Sequence, residues 1–139
     1  MTIQETLALF KPDLVASGKQ DEVLEIIKKN GLEVLRKEEI NLEKARAELF
    51  YEEHKERPFF NDLVQFMTSG PIVALKLRGE EAIPKWRSIM GPTNYEKAKS
   101  EAPESIRALY ANSTQENAVH GSDSPQSAER ELKIFFPEQ

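Results

Sequence analysis

The sequence predicts an α+β fold of the ferredoxin-like kind: a βαββαβ four-stranded antiparallel sheet with helices on one face and added helices. The first observation is the order of the patterns, in which apolar runs that suit strands alternate with segments of helical periodicity. The second is size: 139 residues, of which 39% are hydrophobic and 31% charged, suit one globular unit. We therefore expect a single domain over residues 1–139.

The first part of the chain supplies two strands with a helix between them. Residues 6–10 form a short apolar run that predicts a buried strand, because Pro12 cannot continue a ladder. Asp21 can cap a helix that Gly31 ends. Residues 32–40 begin with alternating apolar and polar side chains, which predicts a strand in a sheet with one solvated side.

The middle of the chain adds two helices, the clearest strand and a further helix. Asn41 is predicted to cap a helix that runs towards Tyr51, and the apolar residues of 59–67 have helical spacing. Residues 72–77 give the best strand pattern of the sequence. A helix over residues 80–90 follows.

The last part of the chain begins with an expected loop. Apolar residues follow neither helical nor strand spacing over residues 92–102, which predicts a loop. A loop of that length in a small domain is usually functional. A short helix is predicted over residues 103–110 and a short strand over residues 117–120. Ser124 and Pro125 are typical of the cap and the first residue of a final helix.

Composition excludes several classes of function. The chain has 19 basic and 24 acidic residues, and its formal net charge of −5 argues against stable nucleic-acid binding, which needs a basic face. It has no cysteine, so disulfides and thiolate metal sites are excluded. No run of 18 apolar residues and no leader segment is visible, so we expect no membrane association and a cytoplasmic location.

His120 is the first candidate for a reactive side chain. It precedes a flexible turn that leads into the helix start at Ser124, where free N–H groups and the helix dipole attract anions. A carboxylate at Glu131 could hold one ring nitrogen of His120 and leave the other as a nucleophile. A plain strand end at His120 and a solvated charge at Glu131 are the open alternatives. The other histidine, His54, lies in a polar stretch and is expected on the surface.

Other candidate side chains stand where apolar segments meet turns. Lys11, Arg87 and Arg107 are cations at such junctions, where they could hold phosphate oxygens or simply be solvated. Phe59 could offer a ring face to a base or belong to a helix core. The remaining polar candidates are Tyr51, Thr93 and Asn117. The phosphate-loop and dinucleotide-binding glycine motifs are both absent from the sequence.

Residues 117–124, N-A-V-H-G-S-D-S, resemble the active-site signature of the nucleoside diphosphate kinase family, N-x-x-H-G-S-D-[SA]. Residues 6–13, which end in K-P-D, resemble the opening strand and KPD motif of that family. Further matches follow in the family's order at residues 57–60, 69–71, 90–94 and 105–107. The resemblance therefore covers nearly the whole chain.

The resemblance implies a nucleoside diphosphate kinase. It would transfer the γ-phosphate of a nucleoside triphosphate such as ATP to nucleoside diphosphates, by a ping-pong mechanism through a phosphohistidine at His120. Glu131 would orient the imidazole with Tyr51 beside it, Asn117 would bond the sugar hydroxyl, and Phe59 would stack on the base. Mg²⁺ would bridge the β- and γ-phosphates. The residues implied to hold phosphates or ribose are Lys11, Arg87, Thr93 and Arg107.

Some positions depart from the better-known members of the family. Leu14 replaces Gly, Ala108 and Leu109 replace Gly-Asp, and residues 95–104 look longer than the corresponding loop. The chain also stops at Gln139, without their C-terminal extension. These departures resemble a divergent group of the family, which includes mitochondrial and ciliary members and some with weak activity.

Two alternatives and the assembly stay open at this point. The first alternative is a nucleotide-binding or scaffold protein of the same fold with little kinase turnover. The second, a ferredoxin-like RNA-binding module, is disfavoured by the net charge and by the absence of paired aromatics in the first and third predicted strands. We expect a homo-oligomer, at least a dimer, with the hexamer of the better-known members undecided. Mitochondrial or ciliary association is the alternative to a cytoplasmic location.

Overall fold

The computed structural model describes residues 2–113 and 116–137, so Gln139 lies outside the described residues. Its four strands form one antiparallel sheet in the order β2-β3-β1-β4. The strands are β1 (Ile3–Phe10), β2 (Glu33–Ile40), β3 (Ile72–Glu80) and β4 (Val119–Gly121). This sheet confirms the predicted ferredoxin-like α+β class.

Eight helices and one 3₁₀ turn accompany the strands in the described chain, and the last helix follows the last strand. They are α1 (Pro12–Ser17), α2 (Gln20–Lys29), α3 (Lys44–Phe50), the 3₁₀ turn Glu52–His54, α4 (Phe60–Met67), α5 (Ala82–Met90), α6 (Tyr95–Glu101), α7 (Ile106–Tyr110) and α8 (Pro125–Phe135). No helix in residues 2–113 or 116–137 combines the length and apolarity needed to span a bilayer.

The sheet is covered on both faces. The two crossover helices α2 and α5 pack against Ala8 and Phe10 of β1, as a βαββαβ unit predicts. The added helices α3, α4 and α8 pack against Leu7 and Leu9 on the opposite face. The expectation of a sheet with one solvated side is therefore wrong. The apolar run at the end of β1 is typical of a strand that is buried on both faces of a sheet.

Three local predictions also need correction. Residues 92–102 contain α6 instead of a continuous loop, because Asn94 Oδ1 caps the helix by accepting from Lys97 N at 3.0 Å. Only Ala98 of this helix is buried, so its sequence carries no apolar periodicity. Neither Asp21 nor Asn41 is a cap: α2 begins at Gln20, and α3 begins three residues after Asn41.

The predicted start of the last helix is confirmed. The Ser124 hydroxyl accepts from Ser127 N at 3.1 Å, and Pro125 is the first residue of α8. This start fixes the face of α8 that looks back on the sheet, where Glu131 and Leu132 are buried.

Candidate active site

A cleft of about 720 Å³ lies beside β4, between the loops and helices that flank it. It contains every site residue predicted from the sequence. These are Lys11, Tyr51, Phe59, Arg87, Thr93, Arg107, Asn117, His120 and Glu131. The fold thus brings together side chains that are distant in the sequence.

His120 is held in the cleft by its strand and by two aromatic neighbours. Its backbone pairs with Leu9 of β1, and its carbonyl accepts from Trp86 Nε1 at 3.2 Å. The ring of Phe50 meets the imidazole edge to face, with 5.0 Å between the ring centroids. The side chain remains 25% exposed, so the ring is both fixed and accessible.

Glu131 holds one nitrogen of that imidazole from α8. Its Oε1 accepts from the Ser122 hydroxyl at 2.8 Å and lies 3.3 Å from His120 Nε2. A carboxylate in this place favours the tautomer with the proton on Nε2. That tautomer leaves the lone pair on Nδ1, as a nucleophilic imidazole requires.

A cluster of cations lines the cleft near this histidine. The buried Lys11 ammonium donates to Asn117 Oδ1 at 2.8 Å, and burial, followed by the charge of Arg107, lowers the pKa of Lys11 to about 8. The Arg107 guanidinium donates to the carbonyls of Gly91 and Val119, each at 2.9 Å. Burial, with a smaller effect from Arg87, lowers the pKa of Arg107 to about 10. Cations that are buried near one another are typical of a site for an anion.

The other predicted side chains occupy the rest of the cleft. Asn117 is buried and its Nδ2 donates to the Thr93 carbonyl at 3.2 Å. Phe59 is 49% exposed at the start of α4, so its ring is free to meet a ligand. The half-buried ring of His54 lies 5.6 Å from that of Phe59 and lines the same cleft, which corrects the expectation of a solvated surface histidine. The 3₁₀ turn brings His54 inward.

Tyr51 stands out because its hydroxyl is buried without a hydrogen-bond partner in the described structure. Burial and the charge of Glu131 raise the pKa of this phenol. An unsatisfied hydroxyl in a cleft is an unfavourable group that a polar ligand can satisfy.

Several contributing residues were not predicted from the sequence. Ser122 holds the carboxylate of Glu131, Phe50 and Trp86 fix His120, and Arg130 donates to the carbonyls of Leu49 and Phe50 at the end of α3. Ser122 lies two residues after His120, just beyond the end of β4, and extended backbone places side chains two apart on one side. That spacing is a signal that could have identified it.

The charged side chains of the cleft determine whether the protein alone could bind a divalent cation. No cluster of three or more His, Asp or Glu side chains that could hold a metal exists within residues 2–113 and 116–137. The cleft has the ionised carboxylate of Asp123, whose pKa is lowered chiefly by a hydrogen bond from Ser127. This donor set suits a cation that arrives with phosphate oxygens and keeps several waters.

Comparison with known proteins shows the family of the chain. A family model described as nucleoside diphosphate kinase matches residues 4–139. The nucleoside diphosphate kinase of Deinococcus radiodurans is 49% identical over 134 residues, which cover 96% of this chain and 95% of the relative. That of Halorhodospira halophila is 48% identical over 136 residues, which cover 98% and 94% of the two chains.

The fold also matches that of a solved structure. The crystal structure of the Aquifex aeolicus nucleoside diphosphate kinase matches with a TM-score of 0.95 and 41% identity, and the match covers 97% of this chain and 96% of that one. With a family model over nearly its whole length and relatives close to half identical, the chain belongs to the nucleoside diphosphate kinase family.

Proposed function

We propose that this protein is a nucleoside diphosphate kinase that transfers the γ-phosphate of a nucleoside triphosphate such as ATP to nucleoside diphosphates. The observation that carries the proposal is the contact of Glu131 with His120 Nε2 inside a cleft lined by cations. Family membership supports the phosphotransferase activity, and the geometry of the cleft is consistent with the roles proposed here for its residues.

The reaction proceeds in two half-reactions at His120. The Nδ1 lone pair attacks the γ-phosphorus in line, the N–P bond forms, and the bond from phosphorus to the β-γ bridging oxygen breaks. The diphosphate leaves with the electron pair of that bond. The Nε2 proton stays on the imidazole, where Glu131 stabilises the positive charge that develops on the ring. A terminal oxygen of a second nucleoside diphosphate then attacks the phosphorus; the O–P bond forms, and the N–P bond breaks with its electron pair returning to Nδ1.

The cations bind the phosphates, and Asn117 and Phe59 bind the nucleoside. Lys11, Arg87 and Arg107 neutralise the phosphate oxygens, and Thr93 donates to a phosphate or a ribose group. The Asn117 amide bonds a sugar hydroxyl. Phe59 stacks on the base without reading its edge, which would make binding tolerant of different bases.

We further propose Mg²⁺ as the divalent cation of this reaction. The nucleotide phosphates would supply most of its ligands, and Asp123, a carboxylate of the cleft whose pKa is lowered, would bind its water shell. When bound, the cation draws charge from the phosphate oxygens. The protein residues orient the nucleotide and present the imidazole.

Assembly and location are also part of this proposal. β2 is an edge strand of the described sheet, and Leu35 on it is 39% exposed, so a second copy of the chain could cover this edge. We propose at least a homodimer, with the hexamer undecided, and sedimentation analysis at micromolar concentration tests it. A cytoplasmic location remains a prediction.

The function is tested by incubating the protein with γ-labelled ATP. The chain has two histidines, so the His120→Ala and His54→Ala variants together assign the label. We expect an acid-labile label that survives in His54→Ala, disappears in His120→Ala and passes to added nucleoside diphosphates. A folded wild-type protein that takes up no label contradicts the proposal. A label that forms but does not pass on supports the alternative of a nucleotide-binding protein with little turnover.

A further inference from the structure

Ala118 has an unusual backbone conformation immediately before the strand that carries His120. Its φ is +74°, in the left-handed region that residues with a Cβ rarely adopt. Val119 N donates to Asn117 O at 2.9 Å across this residue, which makes a three-residue turn of the strained kind. Ala118 is fully buried, so neighbouring groups must hold it in this conformation.

The first turn of α1 supplies those groups. Asp13 Oδ2 accepts from Ala118 N at 3.0 Å, and Lys11 N donates to Ala118 O at 2.8 Å. Both polar groups of the Ala118 backbone are therefore bonded to residues 11–13. Asp13 itself is half-buried and does not line the cleft, and its Oδ1 has no hydrogen-bond partner in the described structure.

The turn at Ala118 sets the positions of the residues on either side. On one side, the Asn117 amide bridges Lys11 Nζ at 2.8 Å and the Thr93 carbonyl at 3.2 Å. On the other side, Val119 pairs with β1 and leads directly to His120. A relaxed Ala118 with negative φ would turn these neighbours away from the cleft.

We propose that Asp13 is a positioning residue of the phosphotransfer site. Its carboxylate holds Ala118 in the strained turn and so places the Asn117 amide and the His120 imidazole in register. The kinetic part of this inference rests on the proposed function. The structural part, the position of β4, does not.

The test uses the full chain with the variants Asp13→Ala, Asp13→Asn and Ala118→Gly and the double variant Asp13→Ala/Ala118→Gly. The Asp21→Ala variant in α2 is the matched control, because Asp21 is exposed and outside the cleft. We expect Asp13→Ala to lower kcat/KM about tenfold or more through loss of the bond and relaxation of the turn. Asp13→Asn keeps an amide oxygen that can accept, so it should retain most of the activity. Glycine adopts positive φ without a Cβ clash, so the double variant should recover most of the loss.

Trp86 gives a readout that needs no phosphate transfer. It is the only tryptophan, and its Nε1 donates to His120 O at 3.2 Å, so its emission reports the position of β4. We expect a changed emission in Asp13→Ala and a return towards the wild-type spectrum in the double variant. A wild-type protein without kinase turnover would defeat the proposed function, while the emission would still decide the role of Asp13.

The proposal is overturned if Asp13→Ala keeps the wild-type kcat/KM and emission, or if Asp13→Asn is as impaired as Asp13→Ala. It is also overturned if the double variant stays as impaired as Asp13→Ala. Thermal melting of every variant accompanies these measurements. Should Asp13→Ala be unfolded at 25 °C, a higher melting temperature of the double variant supports the proposal, and an equal one overturns it.

Discussion

Replacing Glu131 by glutamine tests how strongly the carboxylate stabilises the reacting imidazole. The change keeps the size of a side chain that is only 9% exposed and keeps an acceptor for Ser122, which lies 2.8 Å away. It removes only the negative charge next to His120 Nε2. A hydrogen bond to a charged group contributes about 1.5–3 kcal/mol, and one between neutral groups about 0.5–1.5 kcal/mol.

The difference of about 1–2 kcal/mol corresponds to a five- to thirtyfold lower rate of phosphoenzyme formation, roughly, at 25 °C. Rapid-quench measurement with saturating γ-labelled ATP isolates this half-reaction. Glu129→Gln is the control, because Glu129 lies on the same helix and pairs with Lys133, with both side chains more than 70% exposed. If Glu131→Gln forms the phosphoenzyme within twofold of the wild-type rate, the proposed role of Glu131 is refuted.

Three further predictions follow from charge, packing and burial. The pKa of Lys11 is lowered to about 8 in the free protein, and bound phosphate favours the charged amine. The affinity for ADP, measured by calorimetry, should therefore fall as pH rises from 8 to 9.5. The Lys11→Arg variant should show a weaker dependence on pH. A Cβ on Gly121 would collide with the Trp86 ring, so Gly121→Ala should lower the free energy of unfolding by about 1–3 kcal/mol and alter Trp86 emission. The buried Tyr51 hydroxyl has no partner in the described structure, so Tyr51→Phe should raise the free energy of unfolding in urea by about 1 kcal/mol.

Each of these predictions has a contradicting result. For Lys11, the contradicting result is an ADP affinity that is constant over this pH range, or proton release instead of uptake on binding. Gly70→Ala is the control for Gly121, because neither glycine has a positive φ and an added Cβ at Gly70 would meet Pro12 Cβ at an ordinary contact distance of 3.9 Å. Equal emission changes in the two glycine variants would show that the Trp86 contact is not responsible. For Tyr51, a loss of stability in Tyr51→Phe would show that the hydroxyl has a partner.

The site could be predicted from the sequence because its reactive side chains stand at the ends of strongly patterned elements. His120 ends an apolar run. Glu131 lies in the helix whose start is marked by Ser124 and Pro125, on the face that looks back on the sheet. Lys11 and Arg107 likewise sit where apolar segments meet turns. The resemblance to a family then gave each of them a role.

Other features could not be predicted because they depend on contacts between distant segments or on polar helices. The bond from Ala118 N to Asp13 joins residues 105 positions apart, and no pattern in either segment indicates it. Helix α6 buries only Ala98, so its formation depends on the cap at Asn94. The second face of the sheet is covered by α3, α4 and α8. These helices are additions to the βαββαβ order, so that order does not predict which face they cover.

Because Glu131 Oε1 lies 3.3 Å from His120 Nε2, Nδ1 is the nitrogen that should receive the phosphoryl group. Nuclear magnetic resonance of the phosphoenzyme, formed with ATP and kept at alkaline pH, distinguishes the two isomers of phosphohistidine. We predict one phosphoryl group per chain, on Nδ1 of His120. A phosphoryl group on Nε2, or on any residue other than His120, would contradict it.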